Sequence, residues 1–562
     1  MHHKTIRCLL LGALLLAPRG ALHGAEVSKP SRPNIILVLS DDVGLSRISG
    51  YGGAPFQTPC LDQLAANGLR FERCYSMPIC GPSRAALLTG KYPFRTGAVD
   101  NGSSILDPEK HPTVAMLLKD AGYATCAIGK LGQSAAEGDP AAPQRLGFDE
   151  SMLWMGRATP DRYWHPRYYR NGQVVQGRPD EYGPDLTHEF LLDFLQRHRD
   201  QPFFVYYSAV LAHWPLVRTP DSQDETQLVQ DMIGYLDKQM GRLAADLERL
   251  ALRDNTILLF TSDNGPQNSP LGTVRGQAMI GEKGDVGEGG VREPLIVNCP
   301  ALVPAGRTCP DLTDFTDLLP TVLELAQVNP SPDLHLDGRS IAPQILGRPG
   351  QPRDWVYAQH GRDYFIANQR YKLYGDGRFV DISDSPIAET PIDSPDEAAA
   401  RAKQRLAAAL AELRAGVAET PRQKSPALKA KVFASAEQQA AQLKIDLQVL
   451  ASEQIIANAD EWLAGAAFDG GYDGRQVAEL LIQAAGKFQP AANVNEAIVI
   501  LRDQGVINSV SYWQQNSAPG GRCSASNVAK LVNKLAKAVR GAEAMPPELT
   551  PATREAPGPG RR

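Results

Sequence analysis

Asn34-Ile35-Ile36-Leu37-Val38-Leu39-Ser40, followed at once by Asp41-Asp42, is the stretch on which the fold turns. The run is continuously apolar and rich in β-branched residues, with no polar face. That pattern belongs to a parallel strand covered on both sides. The strand ends in two acids. In open α/β sheets ligands collect at the carboxyl ends of strands, so this end is the first place to look for chemistry.

Working outward, the same texture returns at 125–128, at 202–208 (Pro-Phe-Phe-Val-Tyr-Tyr-Ser), at 256–261 and at 294–297. Helical spacing separates these runs, at 113–121 before Gly122 and in a long amphipathic segment over 228–252. Apolar strands alternating with helices predict an α/β fold, a mainly parallel central sheet with helices on both faces. The run 256–261 leads into Asp263-Asn264-Gly265, a second acidic pair at a strand end. Over 355–383 short strands alternate with glycine turns, which predicts a small antiparallel sheet. A helix rich in Ala and charge follows at 396–413. The expected organisation is a signal peptide over 1–24, a catalytic α/β domain over 25–330, and a small subdomain with its closing helix over 331–417. A linker over 418–427, a mostly helical region over 428–545 and a proline-rich, disordered tail over 546–562 complete it.

With 562 residues the chain has room for two to four domains, at about 100–200 residues each. Its net charge of -5 lacks the basic field of a nucleic-acid binder. Lys4 and Arg7 precede an apolar run over 8–17, and small residues follow at Gly24 and Ala25. This is the order of a secretory signal. The run is shorter than the about 20 residues of a membrane span, and no transmembrane segment is expected elsewhere. The expected location is secreted or periplasmic. Export permits disulfides. Of the eight cysteines, Cys299 and Cys309 bracket a turn-rich loop and are the expected pair.

Four further stretches carry chemistry. Cys80-Gly81-Pro82-Ser83-Arg84 runs on to Thr89-Gly90-Lys91 and is preceded by Pro59 to Phe71 with Asp62 and Gly68 in place. Gly122 to Lys130 ends in Gly129-Lys130. His213-Trp214-Pro215 follows the third strand. Lys283-Gly284 precedes Glu288-Gly289-Gly290-Val291-Arg292-Glu293-Pro294. Together these resemble the signatures of the formylglycine-dependent sulfatase family, with its alkaline phosphatase-like fold, over roughly residues 33–385. The resemblance implies that formylglycine-generating machinery oxidises Cys80 during export. The aldehyde then hydrates to a gem-diol. One hydroxyl attacks sulfur and the other collapses to expel sulfate, which splits one hard step into two. An ordinary serine lacks that second hydroxyl.

Asp41, Asp42, Asp263 and Asn264 offer hard oxygen donors suited to Ca²⁺ or Mg²⁺, and the resemblance implies Ca²⁺. Read alone, each pair is also a common turn sequence. Arg84 belongs to the Cys80 motif and would brace the diol. Lys130 and Lys283 match family lysines that bind sulfate. His213 and Lys283 are the candidates for protonating or stabilising the leaving oxygen, where positive donors gain strength as charge develops.

One departure stands out. The family continues Gly-Lys-Trp-His, whereas this chain reads Gly129-Lys130-Leu131-Gly132-Gln133. Gln133 cannot serve as a base at neutral pH, which puts the second step in question. The expected substrate is a sulfated carbohydrate or another organic sulfate ester. Trp154, Arg157, Arg162, Tyr163, Trp164, His165 and Arg167 form either a sugar-binding rim or a packed loop. Two rival functions keep the fold: a phosphatase or phosphonate hydrolase, and a degenerate sulfatase serving as a binding protein. The first generally needs two metals or a Ser/Thr nucleophile. The second does not explain why all nine candidate residues are kept.

Overall fold

The computed structural model describes residues 32–417, apart from 104, 132–138, 155–161, 226, 268–271, 276, 280, 385 and 387, and parts of 446–535. The expected signal peptide, linker and tail lie outside the described residues, as do Arg157, Gly132 and Gln133.

The first twelve strands are β1 (Asn34–Ser40), β2 (Leu69–Tyr75), β3 (Ala124–Lys130), β4 (Glu150–Trp154), β5 (Arg167–Arg170), β6 (Gln173–Gln176), β7 (Phe203–Ser208), β8 (Thr256–Ser262), β9 (Thr273–Val274), β10 (Gln277–Ala278), β11 (Arg292–Asn298) and β12 (Arg307–Asp314). Ten of them form one sheet in the order β12-β2-β11-β8-β1-β7-β3-β4-β5-β6. Its centre, β8-β1-β7-β3-β4, is parallel throughout. The run 294–297 lies within β11, which is antiparallel to both β8 and β2.

The apolar run of β1 has a simple cause. Ile35, Leu37 and Leu39 face one core, with Leu87 and Leu88 of helix Cys80–Thr89 and Leu118 of helix Val114–Asp120. Ile36 and Val38 face a second core, with Phe190 and Phe194 of helix Gly183–Arg197 and Leu236 and Leu243 of helix Leu228–Arg249. Both faces are dry, and each such buried side chain contributes about 1.5–3 kcal/mol. No helix among the described residues is long and apolar enough to cross a membrane.

A second sheet contains β13 (Val356–His360), β14 (Asp363–Ala367), β15 (Tyr371–Tyr374), β16 (Phe379–Asp381) and β17 (Thr390–Pro391), antiparallel throughout. Helix Glu397–Leu413 begins where the Asp396 side chain accepts from the Ala399 N–H, an N-terminal cap. It lays Ala399, Ala402 and Leu406 on Ile366, Leu373 and Phe379. Within 447–535, helices Gly474–Gly486 and Val494–Asp503 share an apolar cluster that contains Leu480, Leu481, Ile498 and Leu501.

The expected Cys299–Cys309 disulfide is absent, and both cysteines are free. Cys299 follows β11 while Cys309 lies in β12, and β2 runs between them. Two strand spacings come to about 9–10 Å, beyond the roughly 7 Å that a disulfide spans between Cα atoms. The Cys299 thiol instead donates to the Asp254 carbonyl at 3.3 Å.

Candidate active site

Ser40 of β1 lies in register with Ser262 of β8, so the two acidic pairs emerge side by side. Asp42 takes a left-handed backbone with φ of 61°, a conformation that aspartate tolerates better than most residues. The turn is pinned on both sides. The Asp41 N–H donates to the Leu211 carbonyl at 2.9 Å and the Asp263 N–H to the Ser40 carbonyl at 3.0 Å. The Asp42 N–H donates to Asp263 Oδ1 at 3.1 Å.

Cys80 opens α1 (Cys80–Thr89), which is buried along its whole length. Extended Ile79 delivers the chain to it. The Ser83 hydroxyl fixes that entry by donating to the Met77 carbonyl at 2.7 Å and accepting from the Met77 N–H at 3.1 Å. The Gly81 N–H donates to Asn101 Oδ1 at 2.8 Å. The Cys80 thiol then stands 3.7 Å from Asp41 Oδ1 and 4.0 Å from Asp42 Oδ1. Burial, then the Asp263 charge, pushes it up to about 12.

One turn on, Arg84 is wholly buried. It donates to Asp263 Oδ2 at 2.6 Å, the Lys130 carbonyl at 3.0 Å, Tyr206 Oη at 3.3 Å and Ser208 Oγ. Lys130 Nζ donates to both Asp41 oxygens at 2.7 and 2.8 Å. Lys283 Nζ sits 2.6 Å from Asp42 Oδ1 and 2.7 Å from Oδ2. Burial raises the Asp41 carboxyl, but Lys130, His213, Arg84 and Lys283 outweigh it and hold the group well below its ordinary value. Burial and the Asp41 charge push Asp263 the other way, up. Burial disfavours the Lys283 ammonium, yet Cys80, Asp42, Asp41 and Asp263 outweigh it and keep the group charged.

His213 Nε2 lies 3.8 Å from Asp42 Oδ2. Burial is the largest influence on the imidazole and pushes it down to about 4, so it is neutral at pH 7. Its Nδ1 meets Arg162 Nη2 at 2.7 Å and the Trp214 carbonyl at 2.6 Å. Arg162 lies over the Trp154 ring, 4.3 Å from its centroid. The Tyr163 hydroxyl donates to the His213 carbonyl at 2.6 Å. Trp164 Nε1 donates to the Arg218 carbonyl at 2.7 Å. Of the two readings of this aromatic and cationic segment, Arg162, Tyr163 and Trp164 thus follow the packed loop, which buttresses His213.

The nine predicted residues therefore meet in one place. Exposure shows where that place opens: the Asp41 and Lys130 side chains are 0% and 2% exposed, against 13% for Lys283 and 22% for His213. Two residues were unmarked by any local pattern: Asn101 and His360, the latter of which meets the Gly284 carbonyl at 2.7 Å.

A divalent cation fits the donors. Ligand atoms of Asp41, Asp42, Cys80 and His213 all lie within 4.8 Å of one another. Asn264 donates its Nδ2 to Asp42 Oδ1 at 2.7 Å, while its buried Oδ1 has no hydrogen-bond partner. A bare amide oxygen beside three carboxylates is the donor set of a hard cation, and the two lysine ammonium groups balance that negative charge here.

Comparison with known proteins gives the chain a family. The sequence model of one family, described as Sulfatase, matches residues 33–328. The N-acetylgalactosamine-6-sulfatase of Canis lupus familiaris is 34% identical over 375 residues, which span 59% of this chain and 70% of that protein. Arylsulfatase A of Homo sapiens is 32% identical over 381 residues, 61% of this chain and 73% of that one. Among solved structures, Ps i-CgsB in complex with k-i-k-neocarrahexaose is similar with a TM-score of 0.59 at 25% identity, covering 68% of this chain and 92% of that chain.

Proposed function

The chain belongs to the sulfatase family of sulfuric ester hydrolases, and on that premise we propose that it removes sulfate from a sulfated carbohydrate outside the cytoplasm, using Cys80 converted to formylglycine and a calcium ion. The observation that carries the reading is Cys80 at the head of α1, within 4.0 Å of two carboxylates and ringed by Arg84, Lys130 and Lys283. Burial and the neighbouring Asp263 charge disfavour the thiolate of unmodified Cys80. Formylglycine supplies a hydrated aldehyde, with two hydroxyls on one carbon. Asp41, Asp42, Asp263 and Asn264 would hold the calcium ion, which when bound polarises the S–O bonds of the ester.

This chain's own residues do the rest. Arg84 is fixed by Asp263 and by the ends of β3 and β7, and it orients position 80. Lys130 reaches the sulfate from the floor of the site. Lys283 and His213 stand at its mouth, where the alcohol leaves. Lys283 carries the positive charge there at pH 7, and the neutral imidazole acts as a hydrogen-bonding partner. The carbohydrate assignment is supported by the names of the relatives, for N-acetylgalactosamine 6-sulfate, and of the neighbouring structure, for a neocarrahexaose. Export is supported by the residues before position 25.

The test has two parts. A mass spectrum of the peptide spanning Cys80, from protein made in its native host, should show the aldehyde; an unmodified thiol would count heavily against the reading. Sulfate and phosphate esters of one phenol should then be compared, with the sulfate ester cleaved faster. Faster phosphate release would favour the phosphatase alternative.

A further inference from the structure

The mouth of the site lies between Lys283 and His213, which face the same Asp42 carboxylate at 2.7 and 3.8 Å. A leaving group must therefore rest against whatever borders these two residues. Beside His213 stands Trp214, 64% exposed, an apolar wall. Against Gly284, the residue after Lys283, stands His360, which the second sheet contributes at the end of β13. Its ring meets the Gly284 carbonyl through Nδ1 at 2.7 Å. The Gly284 N–H in turn donates to the Pro78 carbonyl at 2.7 Å, two residues before Cys80. A Cβ built on Gly284 would lie 4.0 Å from both His360 Cε1 and Ile79 Cγ2. His360 thus holds the residue next to the cationic donor, and that residue, Gly284, lies between the ring and Ile79, which delivers Cys80.

The tautomer follows from the partner. A carbonyl only accepts, so Nδ1 carries the hydrogen, and Nε2 of a neutral ring is left as an acceptor. The ring's orientation is set by folding and its second nitrogen is not used for that bond. His360 is half-buried, as a residue lining a mouth should be.

We propose that His360 is a specificity-determining residue that reads the leaving group, its Nε2 accepting a hydrogen bond from a hydroxyl or amide N–H of the sugar that bears the sulfate. This rests on the sulfatase reading and adds to it the source of preference for a polyhydroxylated alcohol over a phenol. A phenolate leaving group has no such donor, so the residue should act on one substrate class and not the other.

The experiment compares kcat/KM for a panel of sulfated monosaccharides differing in sulfate position with that for 4-nitrophenyl sulfate, in the full-length protein. His360→Asn is the deciding variant. Its amide nitrogen can take over the Nδ1 donation to Gly284, while nothing replaces Nε2. The ratio of saccharide to aryl kcat/KM should fall about 3–10-fold, the worth of one neutral hydrogen bond. His360→Gln, whose amide reaches toward Nε2, should recover part of it. If His360→Asn keeps the ratio within about twofold while His360→Ala loses activity on both substrates, the ring only holds the Lys283 loop and the inference is overturned. An unsubstituted protein that cleaves the aryl sulfate but no sulfated monosaccharide overturns it alone. One that cleaves neither overturns the sulfatase reading and the inference with it.

Discussion

Two of the clusters of buried charge among the described residues are built differently. Around Arg353, the guanidinium contacts Asp314, Asp317 at 2.9 Å and the Tyr92 hydroxyl at 2.8 Å. The carboxylates are also held by nearby backbone: Asp314 Oδ1 accepts from the Thr316 N–H at 3.0 Å and Asp317 Oδ2 from the Asp314 N–H at 2.9 Å. Around Cys80, the Asp41 and Asp42 side chains are held largely by the tips of Lys130 and Lys283, which come from distant segments, and the buried Asn264 Oδ1 is left without a hydrogen-bond partner. Burial and charge are alike in the two places. What separates them is whether the partners are fixed backbone groups or long side chains that an incoming ion can displace. Buried ion pairs alone are weak evidence of function. A buried cluster with an unused oxygen and an open side is stronger evidence.

The comparison is most exposed at Cys80. Cys80→Ala should lower sulfate release by about 10⁴-fold or more while the thermal midpoint stays within a few degrees; normal turnover in that variant would refute the mechanism. Cys80→Ser, with one hydroxyl, should be nearly inactive as well. Arg353→Met should do the reverse. Leaving Asp314 and Asp317 without their cation should cost about 3–5 kcal/mol in urea unfolding, with kcat of the folded fraction retained. A loss of turnover without loss of stability would erase the distinction between the clusters. Chelation comes third. A cation at 100 times its Kd adds about 2.7 kcal/mol, so stripping it should lower both the melting temperature and activity, and calcium should restore both. If the stripped protein keeps both, the assignment of Asp41, Asp42, Asp263 and Asn264 fails.

The smallest effect is in pH. Asp317 shares one guanidinium with Asp314, and burial, with the Asp314 charge, pushes its carboxyl up despite Arg353. The folded state then binds more protons than the unfolded state above the ordinary value near 3.8, so this group's contribution falls as pH rises toward neutrality. Asp41, held low, has the opposite sign: its contribution is present above its ordinary value and is lost as pH falls through the depressed one. The stability deficit of Asp317→Asn relative to the native chain should therefore shrink between pH 4 and pH 7. A deficit that grows over that range would show that Arg353 dominates after all.

Much of this was legible in the residues themselves. Strand β1 announced its double burial because both of its faces are apolar, and the acids after β1 and β8 marked the edge where they meet. The motif spacing placed Cys80, Arg84, Lys130 and Lys283. Strand direction was not legible, because an apolar run such as 294–297 carries no sign of whether its neighbours run with it or against it. Nor was β12, whose exposed alternate positions left Cys309 looking like half of a loop disulfide. Asn101 and His360 were silent for a different reason. Each acts through a contact made by folding across 20 and 76 residues of sequence separation, and no periodicity records such a contact.

Cys80 is 1% exposed, at the head of a helix buried from end to end. Arg84 clamps that helix to the ends of β3, β7 and β8 at once. A side chain in that position is beyond the grasp of any second protein. On the proposed reading, enzymatic oxidation at position 80 therefore belongs to the interval before the sheet closes, and its yield would be a race between two rates: arrival of the modifying enzyme at the unfolded chain, and collapse of β1, β7 and β8 around the helix. On that reading, a chain that folds first would keep its thiol.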